Sequence, residues 1–299
     1  MSAVASESAG QKVAPAPATG GSPLTALLGP WTIAKYTFRE GIRKKTMVGF
    51  LILSLLVIFG ASFLGAFLNP TTTGPIETDP EMKLIKDICV TTISIFGVLI
   101  TIFVSAGAVP AEMENRVIYT VLSKPVRRIQ YLIGKFAGVQ MIILVNLLLM
   151  GALFFIMLWV RQGVMPTLLL WSLLLTYFEF IIVSAFTFAV GAASTSSVLP
   201  TIAGLFIWLV GNLTEYLKDV YARAFDSTEF LDRAIGYAAL GLSYVLPNLQ
   251  NFSLRAQIIH AQPNDPPADI FIPNLMVYGL CWAAGGFILS YVIFWRKEL

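Results

Sequence analysis

One histidine, two cysteines and a few charges in a long apolar chain restrict the chemistry this sequence can perform. A lone His260 rules out every two-histidine metal motif, the helical zinc-protease signature included, and no metal site is expected. A serine-hydrolase triad would need the same residue with Asp265 or Asp269, in a Pro-rich stretch where a solvated histidine is the simpler reading. Glu112 and Glu114, two residues apart, point to different faces of a helix, so they do not form a general acid–base pair. A phosphate loop is missing as well: Gly134-Lys135 has Ile129 where the first glycine belongs and Phe136 where a hydroxyl belongs. This chain is therefore not expected to hydrolyse ATP by itself or to carry a cofactor. Cys89 and Cys281 fall in or beside apolar runs and suggest no disulfide framework. What remains are charges placed for docking and anchoring, chiefly Glu112, Glu114, Arg116, Lys124, Arg127, Arg128 and Lys135, all within one short polar stretch.

The elements that must position them are membrane spans. The 299 residues are 57% hydrophobic and only 12% charged, with a mean hydropathy of +0.76. Soluble domains are about 45–50% apolar and about 25% charged, so a polytopic, all-α membrane protein is expected. The net charge of +3, from 20 Lys and Arg against 17 Asp and Glu, is too balanced for a nucleic-acid-binding surface. Crossing the hydrocarbon takes about 20 apolar residues. Runs of that kind lie near 47–68, 88–110, 136–160, 167–193, 198–213 and 274–295, giving six spans of which the fifth is short. If the N-terminus is inside, thirteen of the 20 basic residues fall on the cytoplasmic side, and both termini are cytoplasmic.

Outside the spans the chain divides into four pieces. Residues 1–27, rich in Ala, Ser, Gly and Pro, read as a disordered tail without the pattern of a secretory signal. Over 31–45, Trp31, Ala34, Phe38 and Ile42 recur three and four apart while Lys35, Arg39 and Arg43 line another face, the pattern of a basic amphipathic helix at the membrane interface. The polar stretch 111–135 forms a loop between the second and third spans. Residues 214–273 form an outer region in which two amphipathic helices, broken at Asp226-Ser227-Thr228 and ending at Pro247, predict a re-entrant or interfacial hairpin before the last span.

The 111–135 loop carries a resemblance. Glu112-x-Glu114, then Ile118-Tyr119-Thr120, then Leu122-Ser123-Lys124-Pro125-Val126 with Arg128, and Gly134-Lys135 opening the third span, resemble the permease subunits of ATP-binding-cassette transporters of the type-2 exporter family, in its multi-copper-enzyme-maturation branch. Val117 stands where the family usually has Thr. Trp31 to Lys45 is similar to that family's N-terminal interfacial helix, and Leu246-Pro247-Asn248-Leu249 with Phe252 to a stretch before its last span, so the resemblance covers roughly Trp31 to Leu299 and a permease domain over 28–299. It implies a transmembrane subunit in the bacterial cytoplasmic (inner) membrane, pairing with a second permease copy as a homodimer. It also implies separate cytoplasmic ATPase subunits that bind ATP and Mg and dock on the loop. The coupling residues it implies are Glu112, Glu114, Arg116, Tyr119, Ser123, Lys124, Pro125, Arg127, Arg128, Gly134 and Lys135; the interfacial helix would meet membrane lipids through Trp31, Lys35, Phe38, Arg39 and Arg43. The same charges can be a plain topology anchor.

One charge falls inside a span. Glu179 lies near the middle of the fourth, where a carboxylate costs about 2.5–3.5 kcal/mol on insertion scales and is expected to face protein or water. Ser172, Thr176 and Thr187 share its helical face. Such a stripe can line a substrate path, or it can be a hydrogen-bonded packing contact with a neighbouring helix or the partner subunit. Two other readings of the whole chain compete with an exporter: a membrane-embedded enzyme of lipid metabolism, and a non-transporting anchor for a protein complex.

Overall fold

The computed structural model describes residues 23–68, 80–114, 127–162, 167–225, 230–253 and 272–296, which are helical apart from short connections and contain no strand. The helices are α1 (Pro23–Ile42), α2 (Lys45–Leu68), α3 (Pro80–Gly107), the short α4 (Pro110–Glu114), α5 (Arg128–Gln162), α6 (Thr167–Ala193), α7 (Val198–Asn212), α8 (Thr214–Phe225), α9 (Phe230–Val245) and α10 (Ile272–Arg296). A 3₁₀ turn, Gln250–Phe252, precedes α10.

Four stretches are long and apolar enough to span by themselves: α3 with α4, α5, α6 and α10. Two further pairs qualify if each bent pair is one span, α1 with α2 and α7 with α8, both bent by 64°. The six expected spans therefore become four to six. The fifth is the short one that the sequence indicates: α7 has 15 residues, about 22 Å of helix against about 30 Å of hydrocarbon. Of the expected outer hairpin, α8 and α9 are present and pack on each other. The tail up to residue 22, the hairpin tip at 226–229, His260, and Arg116, Tyr119, Ser123, Lys124 and Pro125 of the loop lie outside the described residues.

The centre of the bundle is α6, whose Leu175, Phe180, Ile182, Val183, Ala185, Phe188, Ala189 and Ala192 are almost fully buried. Lipid is as apolar as leucine, so helices in a membrane associate through close fit and small residues rather than through a hydrophobic drive. The glycines show this. A Cβ on Gly97 of α3 would meet the Phe180 ring at 2.5 Å, one on Gly204 of α7 would meet Thr187 Oγ1 at 2.5 Å, and one on Gly286 of α10 would meet Ala185 at 3.0 Å. Thr101, Ser105 and Thr187 bond their own helices four residues back, at 2.7–2.8 Å, and so carry their hydroxyls into the core satisfied.

Along the start of α5 lies α1. Its buried face is Ala34, Thr37 and Gly41, with Phe38 half-buried against the core. That face is rotated from the expected one, because Trp31 and Ile42 are exposed, at 59% and 39%. Close approach accounts for the rotation: Gly134 faces Pro30 and Ile33, and Gly138 faces Ala34 and Thr37, so this face of α1 lies against α5 where glycine leaves room for it. Lys35, Arg39 and Arg43 are exposed, as expected of a basic outer face.

A Cβ on Gly138 would stand 2.6 Å from Thr37 Cβ and 2.8 Å from the Ala34 carbonyl oxygen. Gly138→Val is therefore expected to lift α1, costing about 1–3 kcal/mol of stability. Limited trypsinolysis checks it: cleavage at Lys35 and Arg39 should accelerate, and unchanged protection would contradict this packing.

Candidate functional site

The 111–135 loop begins and ends in the bundle, and its two ends are joined there. After α3 the chain breaks at Ala108 and Val109, ahead of Pro110, which disfavours helix in the residue before it. The resulting step aims Glu112 of α4 at the first turns of α5. Lys135 forms an ion pair with Glu112 Oε1, and the Tyr131 hydroxyl donates a short hydrogen bond to Glu112 Oε2. Exposures of 7% for Glu112, 2% for Lys135 and 1% for Tyr131 make this a buried charge pair, not a surface anchor. Both carboxylate oxygens are engaged, and charge-assisted bonds of this kind are the strong class.

Three more helices converge on the pair. Lys135 Nζ lies 6.0 Å from the centroid of the Tyr36 ring on α1. Tyr131 stacks on Phe294 at the end of α10, ring centroids 5.8 Å apart, and an Arg128 guanidinium N–H donates to the Trp295 carbonyl at 3.2 Å. A second pair, Glu40–Lys44 at 3.8 Å, closes the α1 side of the same cleft, which Thr37, Val104 and Ala108 also line.

Of the coupling residues expected from the sequence, the structure brings Glu112 and Lys135 together and gives Gly134 a physical reason, since a Cβ there would sit 2.6 Å from the Pro30 carbonyl oxygen. Arg128 is tied to α10, and Glu114 and Arg127 are exposed. Tyr131 and Tyr36 were not anticipated. For Tyr131 the available signal was its spacing, one turn before Lys135 on the same helical face.

The second set lies higher in α6. Ser172, Thr176 and Glu179 are all buried, at 5–7% exposure. Glu179 Oε1 accepts from the Trp208 indole N–H of α7 at 3.1 Å, and Asn212 Nδ2 donates to the Trp208 carbonyl at 3.0 Å. The carboxylate is thus held by a side chain of a neighbouring helix.

The bundle of apolar helices defines a multi-pass membrane protein, with a buried ion pair joining the two ends of its 111–135 loop. Residues 31–299 match the family model described as ABC-2 family transporter protein, and the chain belongs to that family. It is a transmembrane transporter component. No curated protein sequence matches it significantly.

Removing one partner of a buried pair strands the other's charge, at a cost of about 3–5 kcal/mol. Lys135→Met alone is expected to lose that much, and Glu112→Gln with Lys135→Met together clearly less. A double-mutant cycle on thermal unfolding of the purified permease measures it; additive losses would show that the pair is not coupled.

Proposed function

We propose that the chain is the membrane subunit of an ATP-driven exporter, with the 111–135 loop as the docking element for a separate cytoplasmic ATPase that binds ATP and Mg. The observation that carries this reading is the Glu112–Lys135–Tyr131 joint. An anchor loop needs charges at the headgroups, but it does not need its two ends riveted to each other inside the bundle. A loop that receives force does, because a push must reach α4 and α5 together instead of bending the connection between them. The exposed Glu114 and Arg127 then face the ATPase, and the stacked Tyr131–Phe294 pair passes the displacement to α10.

On this reading two permease copies pair in the bacterial cytoplasmic membrane, the termini and the loop lie in the cytoplasm, and the exposed cations of α1 meet lipid headgroups. The lipid-enzyme reading loses its carboxylate pair, since Glu112 is consumed by Lys135 and Tyr131 while Glu114 is exposed.

Copurification from cells also expressing a candidate ATP-binding-cassette ATPase tests docking. Arg127→Glu should reduce the recovered ATPase about tenfold, the equivalent of about 1.4 kcal/mol, and Arg127→Lys should retain it. Equal recovery with both variants removes the loop from the interface. Orientation has its own check: Lys124→Cys should react with an impermeant reagent only from the cytoplasmic face, and labelling from outside would reverse the topology.

A further inference from the structure

Past α9 the chain turns back into the bundle. Pro247, Leu249 and Phe252 are buried, and the strap they form closes on the end of α7. Leu249 N–H donates to the Gly211 carbonyl at 3.0 Å, capping a helix end that would otherwise leave that acceptor orphaned. The fit is tight: a Cβ on Gly211 would meet Leu249 at 2.7 Å and the Pro247 carbonyl oxygen at 3.0 Å. Asn248 N–H donates to the Tyr278 hydroxyl of α10 at 3.0 Å, and Phe252 packs beside Tyr278 and Gly279. The same last turn of α7 carries Trp208, the partner of Glu179, and Asn212, whose Nδ2 donates to the Trp208 carbonyl at 3.0 Å. The terminal turn of α7 is therefore clasped by a carboxylate of α6 and by a strap tied to α10.

Beyond this clasp the chain bends 64° into α8 and the α8–α9 hairpin, which packs chiefly on itself. A leucine at position 179 would hold α7 without placing a carboxylate in a span, a placement that costs about 2.5–3.5 kcal/mol. A carboxylate earns its place if the joint has two states, bonded to the indole when closed and hydrated when open.

We propose that the α7–α8 junction is a gate, that the Glu179–Trp208 hydrogen bond is its latch, and that Asn212 is a positioning residue for Trp208. The latch rests on the transport reading for its purpose, but it is tested on the permease alone, so failed ATPase docking would leave it standing and the reverse. The full-length chain is placed in phosphatidylethanolamine–phosphatidylglycerol nanodiscs, with Cys281→Ser to remove the exposed thiol and Leu249→Cys to report lifting of the strap. Buried Cys89 of α3, 0% exposed, reports opening of the whole bundle. Glu179→Ala and Trp208→Phe should each raise maleimide labelling at position 249 about tenfold, within the range expected for loss of one hydrogen bond. Cys89 should stay protected. Glu179→Gln still offers an acceptor and should stay within about twofold of the parent. The proposal is overturned if neither Glu179→Ala nor Trp208→Phe changes the rate, if Cys89 becomes labelled in parallel, or if Glu179→Gln behaves like Glu179→Ala, which would assign the effect to charge instead of the hydrogen bond.

Discussion

Lys135 and Glu112 are buried against each other where the chain leaves α4 and re-enters α5, so neither side chain can withdraw without stranding a charge in an apolar surrounding. Buried pairs are often no more stabilising than well-packed apolar residues of the same volume, because two desolvation penalties oppose one attraction. What the pair supplies here is register. Lys135 reaches Glu112 only when the first turns of α5 sit at one height beside α4. That height places Tyr131 against Phe294, Arg128 at the Trp295 carbonyl, and Tyr36 beside the ammonium. Four otherwise independent helix ends are thereby fixed relative to one another.

The rest of the bundle is held by close fit. Gly134 and Gly138 on α5, Gly97 on α3, Gly204 on α7 and Gly279 and Gly286 on α10 all sit where a methyl group would meet a neighbour at van der Waals distance or closer. Such interfaces are specific in position but contain little that resists sliding, because apolar residues shifted by a turn find similar surroundings in lipid. A buried ion pair does resist sliding. The two kinds of contact are complementary: the glycines let the helices approach, and the loop-end charges decide where along the helices the approach occurs.

Much of this architecture was legible in the sequence, and the reasons for the rest are physical. The bundle of apolar spans and the shortness of α7 follow from the length of apolar runs, which hydropathy reports directly, whereas the bends that leave four to six spans do not. The amphipathic character of α1 was also legible, but its buried face was not. Periodicity ranks residues by polarity, whereas the α1–α5 seam selects by size, so Ala34, Thr37 and Gly41 are buried while Trp31 is not. Glu112 and Lys135 stood out as charges beside a span, yet nothing local says that residues 23 apart in sequence meet. Partners such as Tyr131, Trp208 and Tyr278 look like ordinary core or interface aromatics until their polar tips are seen to reach a carboxylate or a backbone amide. The return of Leu246–Phe252 into the bundle was hidden for a similar reason: its backbone is satisfied by Gly211 and Tyr278, far away in sequence.

The loop-end joint and the clasp on α7 share one element. Near the joint, Phe188 of α6 meets Phe136, the residue after Lys135, edge-on at 5.6 Å, and nine residues earlier on the same helix, about 13.5 Å away, Glu179 holds Trp208. Over that stretch α10 lies on α6 through Gly279 and Gly286, where a Cβ would meet Phe178 at 3.2 Å and Ala185 at 3.0 Å. The end of α10 carries Phe294 and Trp295, both in contact with the joint. Continuity alone does not transmit anything, since a packed route with no alternative arrangement merely stores strain. Transmission needs an element with two discrete positions at the far end. The end of α7 is closed by polar contacts, an indole N–H on a carboxylate and a strap N–H on the Gly211 carbonyl, and each of these groups has water as an alternative partner. On the proposed coupling, that chemistry is what would let a displacement entering at Lys135 become a change of shape at the α7–α8 junction.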